Sequence, residues 1–307
     1  MPACAGMTLW ALMASSPLQA APEMVRIPAG ETRIGSEQGR ADEHPVFLAR
    51  VAAFDLDRTP VTVASFAEFA RRTRYVTDAE RRGNSAVMTF GTGQWALLAG
   101  ASWRRPEGPA GPEAKAAHPV THVSWNDAAN FCAAEGKRLP GEVEWEHAAR
   151  SAGAPERQFP FAGELVKAGR YRANVWTGVF PVLNTVADGY RTTSPVGAFG
   201  AGPLGLTDLA GNVWEWMADW YRPYSEYQAP HPTTGSAGGP PLSPLRGERD
   251  IGRRLTPPLE RAQRGGSFLC DPKFCYGFRV AARGHATPDS SHMHVGFRCA
   301  RSVEQPA

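Results

Sequence analysis

The stretch Arg264–Arg301, RGGSFLCDPKFCYGFRVAARGHATPDSSHMHVGFRCAR, holds three of the five cysteines and decides how the rest of the chain is read. Cys270 and Cys275 lie five residues apart around a Pro-containing segment that can turn back on itself. Two thiolates brought together in this way suit a soft metal, above all Cu(I), which accepts two sulfur ligands and reacts with oxygen. Lys273, Arg279 and Arg283 stand nearby in sequence and would favour the thiolate form. Two other readings fit the same spacing. One is a structural disulfide between Cys270 and Cys275. The other is a zinc site drawing on Cys270, Cys275, His292 and His294, although Cys-x4-Cys is wider than the usual Cys-x2-Cys. Spacing alone leaves all three open.

Upstream, Tyr221–Arg264 carries Pro-Pro pairs, Gly-Gly and scattered charges, and reads as a long surface loop. Gly200, Gly202 and Gly205 match Gly-x-Gly-x-x-Gly, but Pro203 interrupts the motif and no strand–helix unit surrounds it, so a plain loop is expected. Three helices are expected nearer the N-terminus. Over Glu142–Arg150, Glu142 and Glu144 suit the positive end of the helix dipole. Over Ser124–Glu135, Ser124 caps the helix, Asp127 holds the capping-box position and Gly136 ends it, which buries Ala128, Phe131 and Cys132. Over Val61–Tyr75, Thr62 is the cap, and Val63, Phe66, Phe69 and Ala70 share a face. Met24–Ser36 predicts two short strands around a Pro-Ala-Gly turn, and Phe47–Asp57 predicts another strand.

The 307 residues can bury a sizeable core, and 32 Gly with 27 Pro point to a turn-rich fold of short strands and few helices. Net charge is only +3, four of the 33 basic residues are Lys, and no basic stripe stands out, so nucleic-acid binding is excluded. No apolar run approaches the roughly 18 residues of a membrane span. Met7–Ala21 is apolar and ends in small residues, which predicts a signal peptide over residues 1–21 and an exported protein, periplasmic or secreted. No Lys or Arg precedes Arg26, so the positive n-region is missing and a cytoplasmic location is the alternative. Without a linker or internal repeat, residues 24–301 read as one domain.

Several segments together resemble the formylglycine-generating enzymes, or sulfatase-modifying factors. They are Gly265-Gly266-Ser267 with Cys270 and Cys275, Ala281-Ala282-Arg283, Thr287–Ser291 and Gly296-Phe297-Arg298. Upstream matches are His122–Asp127, Gly136–Pro140, Glu144-Trp145-Glu146 and Gly211–Trp216. The resemblance covers roughly residues 24–301 and makes residues 22–307 one sulfatase-modifying domain. It implies a loop-rich α+β fold, distantly like C-type lectins and low in regular secondary structure. Gly211–Trp216 and Gly296–Arg298 recur across several activities of the wider superfamily, whereas retention of both Cys270 and Cys275 marks the oxidase branch.

The resemblance implies a copper-dependent oxidase that converts the Cys of a Cys-x-Pro-x-Arg segment in sulfatases into formylglycine with molecular oxygen. Cys270 and Cys275 would hold Cu(I), and Ser267 and Trp214 would line the oxygen pocket. It further implies two structural Ca2+ sites, one from Asn174, Val175, Asp188 and Tyr190, the other from Asp208, Leu209, Gly211, Val213 and Glu215. Oxygen ligands of this kind suit a hard cation. Cys132 and Cys299 align with a disulfide of some relatives, and a monomer is expected. Two departures stand out. Asp271 replaces a His that well-known relatives carry, and a carboxylate there is expected to raise the thiol pKa. Gly141 replaces a helix-capping Thr. Cys270–Phe274 resembles the client motif but lacks its Arg, so self-modification is not expected. The competing reading is a non-catalytic, lectin-like ligand-binding or scaffold module. An iron-dependent sulfoxide synthase would need a further metal-binding helical domain, for which residues 1–60 leave no room.

Overall fold

A computed structural model describes residues 23–153, 157–227 and 259–303. The leader expected over residues 1–21 lies outside them. Strands β1 (Met24–Ile27) and β2 (Gly30–Ile34) flank the Pro-Ala-Gly turn as expected, but they do not pair with each other. The strand expected over Phe47–Asp57 is two, β3 (Phe47–Val51) and β4 (Phe54–Asp57), and the break sends them to different partners. β2 pairs with β3, whereas β1 and β4 form a three-stranded antiparallel sheet closed by β15 (Ala300–Ser302) from the C-terminal end.

Helix α1 (Val63–Thr73) is capped by Thr62, whose hydroxyl accepts the Ser65 N–H, and it buries Val63, Phe66, Phe69 and Ala70. Helix α2 (Asp78–Arg82) has a complete Thr77/Glu80 capping box, yet five residues are too short to show helical periodicity in sequence. The hairpin β5 (Asn84–Met88) and β6 (Trp95–Ala99) follows, with β6 exposed throughout. Helix α3 (Trp125–Ala134) carries the expected Ser124/Asp127 capping box and buries Phe131 and Cys132. Helix α4 (Glu142–Ala149) starts at Gly141 without a side-chain cap. Two carboxylates replace it: Glu144 accepts the Gly141 N–H and Asp219 accepts the Glu142 N–H. Two-residue ribbons β7 (Val166–Lys167) with β8 (Arg170–Tyr171), and β9 (Gly178–Val179) with β10 (Leu183–Asn184), punctuate long irregular stretches.

The second sheet runs β13-β12-β11-β14, from β11 (Trp214–Trp220), β12 (Arg261–Arg264), β13 (Arg283–Ala286) and β14 (Val295–Gly296). Here the surface-loop reading of Tyr221–Arg264 is corrected at both ends. Tyr224 is buried in a 3-10 turn over Tyr224–Glu226, and β12 is an interior strand with all four residues buried. Its composition, Arg-Ala-Gln-Arg, concealed it: Arg264 is buried against Glu142 and Glu146, and Arg261 lies between the rings of Trp125 and Trp220. Among the described residues no helix is long and apolar enough to cross a membrane.

One core gathers Phe66, Phe69, Phe131, Phe297 and Trp216 around Cys132 and Cys299, which lie at disulfide-bonding distance, Sγ–Sγ 2.01 Å. A second packs Ile27, Phe54, Leu56, Trp145 and Met217. Between the strands sits a buried ion pair. Arg298 donates to both Glu215 oxygens at 2.7 Å, Trp145 Nε1 donates to Glu215 at 2.8 Å, and Arg298 also donates to the carbonyls of Asp57, Arg58 and Thr207. Replacing Arg298 with Met should destabilise the fold by about 3–5 kcal/mol by stranding a buried carboxylate. Urea denaturation measures this, and a loss below about 1 kcal/mol would show the pair to be incidental.

Candidate active site

The site begins where β12 ends. Gly265 and Gly266 both take positive φ, and at Gly266 a Cβ would lie 2.6 Å from the Gly277 carbonyl carbon and the Phe278 nitrogen. This close approach lets two consecutive turns stack. In the first, Cys270 N–H donates to the Ser267 carbonyl at 2.9 Å, and the Ser267 hydroxyl accepts the Leu269 N–H at 3.2 Å. In the second, the Asp271 carbonyl accepts the N–H groups of Cys275 and Tyr276, both at 3.0 Å. Together they return Cys275 to Cys270, and both are free thiols. Trp214, at the head of β11, closes one side. A Cβ on residue 277 would lie 2.6 Å from the Trp214 ring and 3.0 Å from the Cys270 sulfur, so only glycine leaves room between them. The structure thus brings Cys270, Cys275, Ser267 and Trp214 into one place.

The two thiols are not equivalent. Burial pushes the Cys270 thiol well above its usual value, and the neighbouring Cys275 pushes it further. The Cys275 thiol is held below its usual value, chiefly by the hydrogen bond it accepts from Cys270, then by the Gly277 backbone and by Arg40 and Arg279. Cys275 is therefore the first to ionise. Of the three cations expected to help, Arg279 alone does. Arg283 is taken up by Glu142, at 2.7 and 2.9 Å, and Lys273 is exposed. The expected effect of Asp271 is also corrected. Its carboxylate turns into its own loop, accepting the N–H groups of Lys273 at 2.7 Å and Phe274 at 3.1 Å, and it is not what raises Cys270.

The zinc reading is not assembled. His292 and His294 pack against each other and against Trp95. Among the described residues no group of three or more His, Cys, Asp or Glu side chains is placed to hold a metal. The donor set that remains, two adjoining free thiols, fits Cu(I).

The two expected calcium sets differ in fit. In the first, Asp188 accepts the N–H groups of Val175 at 2.9 Å and Tyr190 at 3.1 Å, which brings all four residues together. The Asn174 amide oxygen is buried there with no hydrogen-bond partner. A buried unpaired oxygen is what a hard cation would satisfy. In the second set both Glu215 oxygens are committed to Arg298 and Trp145. Asp208 is committed to Gly197, Thr207 and Asn212. That set does not fit a cation in this arrangement.

The profile of the sulfatase-modifying factor enzyme 1-like domain matches residues 10–303. The chain belongs to that family. It is 42% identical over 299 residues to a formylglycine-generating enzyme of Streptomyces coelicolor, covering 91% of this chain and 89% of that one. It is also 36% identical over 304 residues to an inactive C-alpha-formylglycine-generating enzyme 2 of Bos taurus, covering 92% and 89%. The structure of PvdO from Pseudomonas aeruginosa superimposes with a TM-score of 0.65 at 26% identity, covering 92% of this chain and 95% of that one. The loop-rich α+β fold expected from the sequence is thus the fold found.

Two residues that shape the thiol site escaped sequence reading. Gly277 had a signal, as a lone glycine in an otherwise bulky run, but nothing local shows that a tryptophan and a sulfur crowd it. Arg40 had none. It lies 235 positions from Cys275 and donates to the Cys275 carbonyl at 2.5 Å only because the fold brings the segments together. The asymmetry of the thiols has a direct readout, since the thiolate is the nucleophile. At pH 8, iodoacetamide should label Cys275 well before Cys270, as peptide mapping would show. Labelling of Cys275 should fall away with acidification at a pH below that of an ordinary thiol. Equal labelling of the two would contradict the assignment.

Proposed function

We propose that the chain is a formylglycine-generating oxidase that converts the Cys of a Cys-x-Pro-x-Arg segment in sulfatases into formylglycine, using molecular oxygen and Cu(I) held by Cys270 and Cys275. The observation that carries this reading is the pair of free thiols, converged by two stacked turns and closed over by Trp214. A scaffold has no use for such a pair, yet an inactive relative at 36% identity means that the fold by itself does not decide the matter.

Bound Cu(I) would supply electron transfer and oxygen activation. The chain's own contribution is placement. Cys270 is 1% exposed and anchored at the back of the site, whereas Cys275 is half-buried at the rim, where a client sulfur can approach. Phe274, 70% exposed and stacked on Phe180 at 5.0 Å, extends that rim and offers an extended client chain an apolar edge. Trp214 and the Ser267 turn keep bulk water from the buried sulfur. Export to an oxidising compartment agrees with the Cys132–Cys299 pair.

The deciding experiment is mass spectrometry of a Cys-x-Pro-x-Arg peptide incubated with oxygen, reductant and Cu(I)-loaded protein. Conversion of the cysteine to the aldehyde is expected, with loss of conversion in both Cys270→Ser and Cys275→Ser. Folded, copper-loaded protein that leaves the peptide unchanged would move the scaffold reading ahead.

Calcium at the Asn174–Asp188 set would brace a segment whose regular pairing is the two-residue ribbon of β9 and β10, and we include it in the proposal. Adding Ca2+ to chelator-treated protein should raise Tm, since a hundredfold excess over Kd contributes about 2.7 kcal/mol. Asp188→Ala should abolish the rise. A Tm that ignores Ca2+ in the parent protein would remove calcium from the proposal.

A further inference from the structure

Among the described residues two cations at the thiol loop have no carboxylate partner, the exposed Lys273 within it and Arg40 beside it. Arg279, the nearer arginine in sequence, is neutralised by Glu43, which takes both of its terminal nitrogens and is itself 0% exposed. Arg283 is neutralised by Glu142 in the same way. Arg40 differs. It is exposed, no described carboxylate pairs with it, and its Nη2 reaches the carbonyls of Cys275 at 2.5 Å and Phe274 at 3.4 Å.

Two thiolates with one Cu(I) carry a net charge of −1. That charge would sit partly in a low-dielectric pocket, because Cys270 is fully enclosed. A nearby cation would stabilise a centre of this kind, and Arg279 and Arg283 are each tied to a buried carboxylate that offsets much of their charge.

We propose that Arg40 is a positioning residue that supplies the compensating charge for a bis-thiolate Cu(I) centre at Cys270 and Cys275, while its two carbonyl contacts hold the Phe274–Cys275 corner in place. The inference rests on the copper reading of the same site. Arg40 reaches the site from the loop that precedes β3, so the N-terminal segment becomes part of the metal environment.

The test is competition for Cu(I) with a chromophoric chelator at fixed pH, on the full chain and its variants. Arg40→Gln should bind Cu(I) roughly tenfold more weakly, and Arg40→Lys, which keeps the charge, should stay within about threefold of the parent. Raising the salt concentration should narrow the gap between Gln and Lys, because an exposed charge is screened. Equal affinity of Arg40→Gln and the parent overturns the inference and leaves the copper reading standing. Equal weakening of the Gln and Lys variants also overturns it, since the carbonyl contacts and not the charge would then be responsible. A parent protein that fails to bind Cu(I) overturns both readings together. Matching Tm values for the three proteins establish that folding is not what differs.

Discussion

The buried pair of Glu215 and Arg298 is the interaction on which the rest of the molecule depends. Both side chains are fully enclosed, and a lone charge at that depth would cost several kcal/mol. Arg298 therefore has every donor engaged, two on the carboxylate and the rest on carbonyls of Asp57, Arg58 and Thr207. Trp145 supplies the remaining hydrogen bond to Glu215. One ion pair thus fixes the head of β11, the segment between β14 and β15, the end of β4 and helix α4 relative to one another. The parallel contact of β11 with β14 follows from the same arrangement, Trp214 opposite Val295 and Glu215 opposite Gly296.

The same device recurs around the thiols. Arg264 joins Glu142 and Glu146, Arg283 joins Glu142, and Arg279 joins Glu43. With helices of 5 to 11 residues and many strands of only two, regular backbone pairing alone leaves much of the interior unorganised. Directional charge pairs take over that task, and they constrain the loops on either side of Cys270 and Cys275. A short thiol-bearing segment held in this way needs no helix or sheet of its own.

At the centre of that frame the two cysteines are made unequal by depth. Cys270 is enclosed and keeps its proton, donating a hydrogen bond to Cys275, which lies at the rim and ionises first. One sulfur is an anchor, the other is the exchangeable face of the site. This polarity comes from how the two turns stack through Gly266 and Gly277, where any side chain would separate them.

Helices α1 and α3 were legible because capping and apolar spacing are local, and Thr62, Ser124 and Asp127 act within one turn of the residues they cap. That Cys270, Cys275, Ser267 and Trp214 would come together was legible through the family resemblance of the short segments that carry them. What the sequence concealed were long-range outcomes. Arg261 and Arg264 look like solvated loop residues until Trp125, Trp220 and two glutamates fold around them. Asp271 looks like a threat to the thiolates until its carboxylate is seen capping the next turn. Glu215 looks like a calcium ligand until Arg298 occupies it. Sequence alone determined most local elements and the family, because these rest on residue types at short spacing and on short segments matched along the chain. The tertiary structure decided which charges cancel, which thiol ionises first and which distant arginine reaches it, because electrostatic partners are set by proximity in space.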